Sequence, residues 1–167
     1  MRLVLASNNA KKLAELQTLF AGLPLELVTQ GSLGIAEADE PHHSFVENAL
    51  AKARQDARAS GLPSIADDSG LCVAALGGAP GVQSAHFAGE LGAAGDRETR
   101  RQAQDAANNI RLLECMAGQT DRRVRFVSAL VALRHADDPE PLIAFGRWEA
   151  KLLTAARGQG GFGYDPL

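Results

Sequence analysis

The chain opens with a strand, a helix and a second strand in close succession, and this order restricts the folds available to it. The apolar run at residues 2–6 predicts a buried strand. Asn9 is a favourable N-cap for a helix whose apolar side chains recur at helical spacing. Gly22 and Pro24 end that helix, and residues 25–29 alternate as a second strand does. A strand–helix–strand opening predicts an α/β fold.

The rest of the chain continues the alternation of strands and helices. Ser44 begins a helix that Gly61 ends, and Asp96 caps a longer helix that extends to about residue 117. On this longer helix we expect a buried stripe formed by Ala103, Ala107, Ile110 and Leu113. Further strands are predicted at residues 64–66, 71–75, 123–133, 142–148 and 151–154. Because no repeat or linker interrupts the pattern, it predicts one α/β domain over residues 1–167 with a mixed sheet.

The charge balance argues against a nucleic-acid-binding protein. The 17 basic and 20 acidic residues leave a net charge of -3, whereas a general polyanion binder carries a basic surface. A local basic cluster formed by Arg122, Arg123 and Arg125 is more typical of a solvated strand face than of a nucleic-acid site.

Targeting signals and cysteines point to the cytoplasm. No apolar run approaches the roughly 18 residues of a membrane span, and the N-terminal residues lack the features of a signal peptide. Cys72 and Cys115 form no Cys-x-x-Cys pair, which favours a reducing compartment. We therefore expect a cytoplasmic protein that binds neither nucleic acid nor membranes.

A polar segment joins the first strand to the first helix. Free N–H groups at a helix N-terminus, together with Lys12, suit a phosphate group. The Gly-x-x-x-x-Gly-Lys-Ser/Thr spacing of a P-loop is absent. Capping by Asn9 beside two solvated lysines explains the same residues, so both interpretations stay open. The residues of the segment are Ser7, Asn8, Asn9, Ala10, Lys11 and Lys12.

Two acidic motifs are candidates for a metal site. Ser44 and Glu47 form a capping box, which is a sufficient structural reason for the glutamate. Asp67 and Asp68 follow an apolar run, as if a buried strand ended at the acids, although a solvated turn gives the same pattern. In extended backbone the two aspartates point to opposite faces, so only one enters a given site. That carboxylate and Glu47 would suit Mg²⁺, which completes its shell with water and substrate phosphates.

A glycine-rich segment lies near the C-terminal end. Residues 158–163 match G-x-G-x-x-G, but no strand–helix–strand unit surrounds them, which argues against dinucleotide binding. We predict a flexible loop that brings Phe162 and Tyr164 against a planar ligand, with Asp165 as a hydrogen-bond acceptor. An ordinary turn with one anchoring aromatic residue is the alternative.

Five short stretches occur in an order that a known family shares. They are Leu-Ala-Ser-Asn-Asn-Ala-Lys-Lys, Ser-Phe-Val-Glu-Asn-Ala-Leu-Ala-Lys-Ala-Arg, Ile-Ala-Asp-Asp-Ser-Gly-Leu, Leu-Gly-Gly-Ala-Pro-Gly-Val-Gln-Ser-Ala and Gly-Gly-Phe-Gly-Tyr-Asp-Pro. Each is weak alone, but the five in register are specific and cover nearly the whole chain. In them the chain resembles the inosine triphosphate pyrophosphatase family, whose members remove non-standard purine nucleoside triphosphates.

The resemblance implies a fold, a reaction and a set of roles. The fold is an elongated mixed sheet flanked by helices, with the active cleft above the sheet, in a homodimer. The reaction is the Mg²⁺-dependent hydrolysis of ITP, dITP and XTP to the nucleoside monophosphate and pyrophosphate. Residues 7–12 would hold the triphosphate, Ser69 would contact substrate, and Glu47 and Asp68 would hold the metal. Asp68 would be the catalytic acidic residue, as general base or as metal ligand. The base pocket would consist of Phe162, Gly163, Tyr164 and Asp165.

The sequence departs from the family pattern at its C-terminal end. Family chains continue beyond Gly-Phe-Gly-Tyr-Asp-Pro into a segment with a substrate-binding lysine and a Ser-His-Arg motif, whereas this sequence ends at Leu167. We therefore expect a C-terminally truncated pyrophosphatase domain. The alternative function is a non-catalytic nucleotide-binding fragment that is inactive because this segment is missing.

Overall fold

A computed structural model describes residues 1–92, 94–158 and 161–167. The chain divides into two compact units. The first unit comprises residues 1–68 and 128–146, and the second comprises residues 69–127 and 147–167. The expectation of a single domain stays a prediction, and each unit is described by itself.

The described residues form helices and one five-stranded sheet. The helices are α1 (Ala10–Leu19), α2 (Phe45–Ser60) and α3 (Arg97–Cys115), and the strands are β1 (Arg2–Leu5), β2 (Glu26–Thr29), β3 (Ser64–Val73), β4 (Arg123–Leu133) and β5 (Leu142–Lys151). The strand order is β2-β1-β3-β4-β5, and β1 runs parallel to both β2 and β3. The predicted α/β fold with a mixed sheet and flanking helices is confirmed.

Local signals place the helix ends as predicted. The Asn9 side chain accepts from the N–H groups of Lys11 and Lys12 at the start of α1. The Ser44 side chain caps α2, and Gly61 ends it in the left-handed conformation with φ of 68°. Polar caps supply hydrogen-bond partners that the first turn of a helix otherwise lacks, so these boundaries are encoded locally.

The predicted pair of strands around residues 67–70 is wrong, because β3 runs unbroken through them. The solvated turn that was the alternative for this segment does not form, and Gly70 within β3 allows a close approach instead. Ser84 Oγ accepts from the Leu71 N–H at 2.9 Å and lies too close to Gly70 for a Cβ to fit there. Gly70 therefore makes room for a side chain beside the strand.

The predicted buried stripe of α3 is wrong in part. Ile110 is exposed, while Asn108 and Leu112 are the buried residues of the helix. The Asn108 side chain donates to the carbonyls of Ser84 and Ala85 and accepts from the Ala88 N–H. Because its polar atoms are bonded, asparagine faces inward here, which a count of apolar residues does not detect.

The last predicted strands are also revised. The strand predicted at 142–148 continues to Lys151 as β5, and the separate strand predicted at 151–154 is wrong. Strand β4 has the predicted bounds, and β5 is its neighbour, as a hairpin partner should be.

The first unit buries two apolar clusters that belong to different helices. Leu16 of α1 packs with Leu3, Leu5 and Ile65. Ala49 and Ala53 of α2 pack with Ala6, Ala66, Val131 and Leu133. Successive residues of a strand face opposite sides of the sheet, so residue 65 and residue 66 face different helices.

The second unit has its own apolar core. Its buried members are Leu71, Val73, Leu112, Met116, Val124, Leu152, Tyr164 and Leu167. Within residues 1–92, 94–158 and 161–167, no helix is both long and apolar enough to cross a membrane.

A buried carboxylate on α2 makes the stability of the protein depend on pH. Asp56 is fully buried, and neither of its carboxylate oxygens has a hydrogen-bond partner among the described residues. Burial raises the pKa of Asp56 from 3.8 to about 6. The folded protein therefore binds this proton more tightly than the unfolded chain, and stability falls as the pH rises through 6.

Replacing Asp56 with Asn should remove this pH dependence. Between pH 5 and pH 8, wild-type protein should lose about 1–2 kcal/mol of unfolding free energy relative to Asp56→Asn. Urea unfolding at both pH values measures the difference. Asp39→Asn, which alters an exposed carboxylate, is the control and should follow wild type. Parallel stability curves for wild type and Asp56→Asn would show that Asp56 does not titrate in this range.

Candidate active site

The two adjacent aspartates lie inside β3, and both are buried. The expected strand end at this position is therefore wrong. The predicted divergence of the two side chains holds. Asp67 Oδ2 accepts from Lys12 Nζ of α1 at 2.8 Å, whereas Asp68 Oδ2 accepts from Asn48 Nδ2 of α2 at 3.2 Å. One strand thus supplies one carboxylate to each of two helices.

Neighbouring groups and burial shift the pKa of Asp68 in opposite directions. Burial has the largest effect, and it raises the pKa of Asp68 because the charged form is poorly solvated. The strongest opposing influence is Lys52, whose Nζ lies 3.7 Å from Asp68 Oδ1 and also binds Glu40. The nearby Glu40 raises the pKa again, and the hydrogen bond from Asn48 lowers it. A buried carboxylate whose pKa is raised is a suitable general base.

Asn48 is the structural centre of this arrangement. It is fully buried, and its Oδ1 accepts from the His42 N–H at 3.0 Å. Its Nδ2 donates to Asp68, so a single side chain fixes both the segment before α2 and the carboxylate on β3.

Sequence reasoning missed three residues of this site, namely Glu40, Asn48 and Lys52. A usable signal was present for two of them. Asn48 and Lys52 are four residues apart on α2 and therefore lie on one helical face, beginning directly after the capping box. The position of Glu40 depends on the path of the preceding segment, for which the sequence carries no periodic pattern.

The segment of residues 7–12 is held by capping and by long-range hydrogen bonds. Ser7 Oγ accepts from the Asn9 N–H, and Asn9 caps α1. Asn8 donates to Glu37 at 2.9 Å and accepts from the Gly31 N–H at 2.8 Å. Ala10 and Lys11 are exposed in the first turn of α1. The capping interpretation explains Asn9, and phosphate binding by the segment stays a prediction.

Glu47 occupies the capping position that its motif predicts. Its Oε2 accepts from the Ser44 hydroxyl at 2.6 Å. Among residues 1–92, 94–158 and 161–167, no three His, Cys, Asp or Glu side chains are grouped so as to hold a metal ion. Mg²⁺ usually takes only one or two protein carboxylates and obtains its other ligands from water and substrate phosphates. The buried Asp68 carboxylate fits that mode of binding and does not fit an all-protein cage.

The remaining predicted site residues belong to the second unit. Ser69 is exposed on β3 directly after Asp68. Phe162 is half-buried, and its N–H donates to Asp165 Oδ2 at 2.8 Å. Tyr164 is a core residue whose hydroxyl donates to the Ser84 carbonyl, and its contact with a ligand stays a prediction. Residues 159 and 160 of the glycine-rich loop lie outside the described residues.

A pocket of about 390 Å³ lies in the second unit beside this loop. Its lining is mainly apolar and includes Phe126, Trp148 and Tyr164, with Asp165 as one of its polar residues. A pocket of this size and composition is typical of small-molecule sites.

The arginine cluster at the start of β4 is bonded within the fold. Arg122 donates to the carbonyls of Leu152 and Leu153, and Arg123 forms a bidentate pair with Asp121. Since these guanidinium groups are bonded within the second unit, the interpretation as a nucleic-acid site loses support.

Comparison with known proteins identifies the family. The model of the Ham1 family matches residues 3–167. The chain belongs to the Ham1 family. The resemblance to inosine triphosphate pyrophosphatases is thereby confirmed, because relatives with high identity carry the name dITP/XTP pyrophosphatase.

Two such relatives match all of this sequence. The dITP/XTP pyrophosphatase of Methylibium petroleiphilum is 72% identical over all of this chain and 80% of its own length. That of Leptothrix cholodnii is 71% identical, with the same coverage.

Solved Ham1 structures share the fold. The HAM1 protein from Coxiella burnetii superposes with a TM-score of 0.89 at 40% identity, and the Staphylococcus aureus Ham1 protein with 0.82 at 32%. In both cases the match covers all of this chain and 80% of the solved one.

Removal of the Asn48 side chain should weaken the fold around Asp68. Asn48→Ala leaves Asp68 Oδ2 and the His42 N–H without this partner, so the free energy of unfolding should fall by about 1–3 kcal/mol. Asn48→Asp should cost more, because it replaces a donor with a second carboxylate beside Asp68. Urea unfolding of the two variants measures both effects. Equal stability of Asn48→Asp and wild type would contradict the assigned hydrogen bond.

Proposed function

We propose that this protein hydrolyses non-standard purine nucleoside triphosphates, namely ITP, dITP and XTP, to the nucleoside monophosphate and pyrophosphate. The observation that carries the proposal is the 72% identity, over all of this chain and 80% of the relative, to a protein named dITP/XTP pyrophosphatase. The site chemistry supports it, because Asp68 is a buried carboxylate held by Asn48 and flanked by Lys52.

In the proposed reaction a water molecule attacks the α-phosphorus of the substrate. Asp68 takes a proton from this water as the new oxygen–phosphorus bond forms. The bond between the α-phosphorus and the bridging oxygen breaks, and pyrophosphate leaves with the bonding electrons. Lys52 then offsets negative charge near Asp68, and Lys12 does so at the start of α1. Substrate phosphates compete with Asp67 for Lys12, which binds that carboxylate in the free protein.

The metal belongs to the proposal. We infer that Mg²⁺ binds with the substrate and that Glu47 and Asp68 would hold it. When bound, it would act as a Lewis acid that stabilises charge on the phosphate oxygens. Asp68 then serves either as base or as metal ligand, and in both roles its carboxylate is required.

Base selection is proposed for residues 162–165. The Asp165 carboxylate can accept from N1–H of hypoxanthine or xanthine, whereas adenine carries a lone pair at N1 and no proton. The half-buried Phe162 offers an aromatic face to a purine. Guanine also carries N1–H, so Asp165 alone does not account for its rejection.

Assembly and location complete the proposal. We infer a homodimer, and the exposed apolar side chains of Leu142, Ile143 and Phe145 on the edge strand β5 support it. We infer a cytoplasmic location, which the free thiols of Cys72 and Cys115 support.

Pyrophosphate release tests the proposed function. With Mg²⁺ present, ITP, dITP and XTP should be hydrolysed with a kcat/KM at least tenfold above that for ATP and GTP. Omission of Mg²⁺ should abolish turnover. Equal turnover of all five nucleotides would contradict base selection, and nucleotide binding without release would support the non-catalytic alternative.

A further inference from the structure

One face of α3 holds the segment proposed to read the base. The Gly163 N–H donates to Asp105 Oδ2 at 3.0 Å, and Asn109 Nδ2 donates to the Gly163 carbonyl at 3.0 Å. Asp105 and Asn109 are four residues apart and therefore share a helical face. Both main-chain polar groups of a single glycine are thus bound by one helix.

The helical face that carries Asp105 and Asn109 also contacts Phe162, the residue before Gly163. Arg101 lies four residues before Asp105, and its guanidinium carbon is 5.7 Å from the centroid of the Phe162 ring. This distance is typical of a cation–π contact. Arg101, Asp105 and Asn109 therefore lie on one face of α3 and contact the loop at Phe162 and Gly163.

The inner side of the loop is fixed independently. Tyr164 is buried, and its hydroxyl donates to the Ser84 carbonyl at 2.8 Å. That carbonyl also accepts from Asn108 of α3. With Gly163 and Tyr164 both held, Asp165 is left exposed next to them.

The α3 side chains that hold this loop include polar atoms whose burial stability alone does not explain. Asn109 Oδ1 and Arg101 Nε are buried without a hydrogen-bond partner among the described residues. An unsatisfied buried polar atom costs about 1–3 kcal/mol. The Asn109 side chain thus has one end bonded and the other unsatisfied, which favours a role in orienting the loop over a role in stability.

We propose that Asp105 and Asn109 are positioning residues for purine selection. They fix the Gly163 peptide so that Phe162 and Asp165 meet the base in a single geometry. The inference rests on the proposed function, because it takes residues 162–165 as the segment that reads the base. Small errors in the position of a recognition group reduce discrimination strongly, so a rigid support matters at this point.

Binding of product-like ligands to folded protein tests the inference. Asp105→Ala and Asn109→Ala should each weaken inosine monophosphate binding about tenfold, which is about 1.4 kcal/mol. Binding of pyrophosphate, which has no base, should be unchanged. Asp105→Asn keeps a side-chain oxygen that can accept from Gly163 and should recover most of the lost affinity. Gln102→Ala, an exposed residue of the same helix, is the matched control and should bind both ligands as wild type does.

Each outcome separates the inference from the proposed function. If wild type binds inosine and adenosine monophosphates equally, the proposed base selectivity is wrong. If wild type discriminates and both alanine variants do so equally well, the inference is overturned. A parallel loss of inosine monophosphate and pyrophosphate affinity would also overturn it, because that result indicates general structural damage. Calorimetric titration gives the affinities, and urea unfolding confirms that the variants are folded.

Discussion

The two-residue alternation of β3 is the constraint on which the first unit depends. Ile65 packs with α1, and Ala66 packs with α2. The next two residues also contact different helices, but through polar groups. Asp67 binds Lys12 of α1, and Asp68 binds Asn48 of α2. A shift of the strand by one residue would exchange every one of these partners. The register that builds the core therefore also selects which aspartate is available as a base.

Burial determines how the two adjacent carboxylates of β3 behave. Both acids are nearly inaccessible, and a buried carboxylate is stable only with donors or cations nearby. For Asp68, burial raises the pKa while Lys52 opposes the rise, so the group retains affinity for a proton. Asp67 is instead paired with Lys12, whose Nζ lies 2.8 Å from its Oδ2. The same strand carries an ion pair on one face and a catalytic candidate on the other.

Much of the fold could be predicted from sequence, because its signals are local. Asn9, Ser44 and Gly61 mark helix ends through hydrogen bonds and dihedral preferences that involve only near neighbours. Non-local contacts could not be predicted in this way. By sequence alone Gly70 is typical of a turn, and the reason for a glycine at this position is the close contact with Ser84. By sequence alone Asn108 is expected at the surface, but it is buried because carbonyl groups accept its hydrogen bonds.

In the candidate site, too, features encoded by neighbouring residues could be predicted, and contacts between distant residues could not. Alternation alone predicts that Asp67 and Asp68 diverge, and the capping motif places Ser44 and Glu47 correctly. The contribution of Lys52 depends on how α2 docks on β3. That docking is set by packing and not by any short pattern in the sequence.

Parallel substitution of the two adjacent aspartates is the most direct test of this account. Asp67→Asn and Asp68→Asn are isosteric and remove one charge each from the same strand. With Mg²⁺ and dITP, Asp68→Asn should lower kcat by a factor of about 100 or more, because it removes the proposed base. Asp67→Asn should retain most of kcat, since its partner Lys12 remains. A near-normal kcat for folded Asp68→Asn, or a greater loss for Asp67→Asn, would contradict the account.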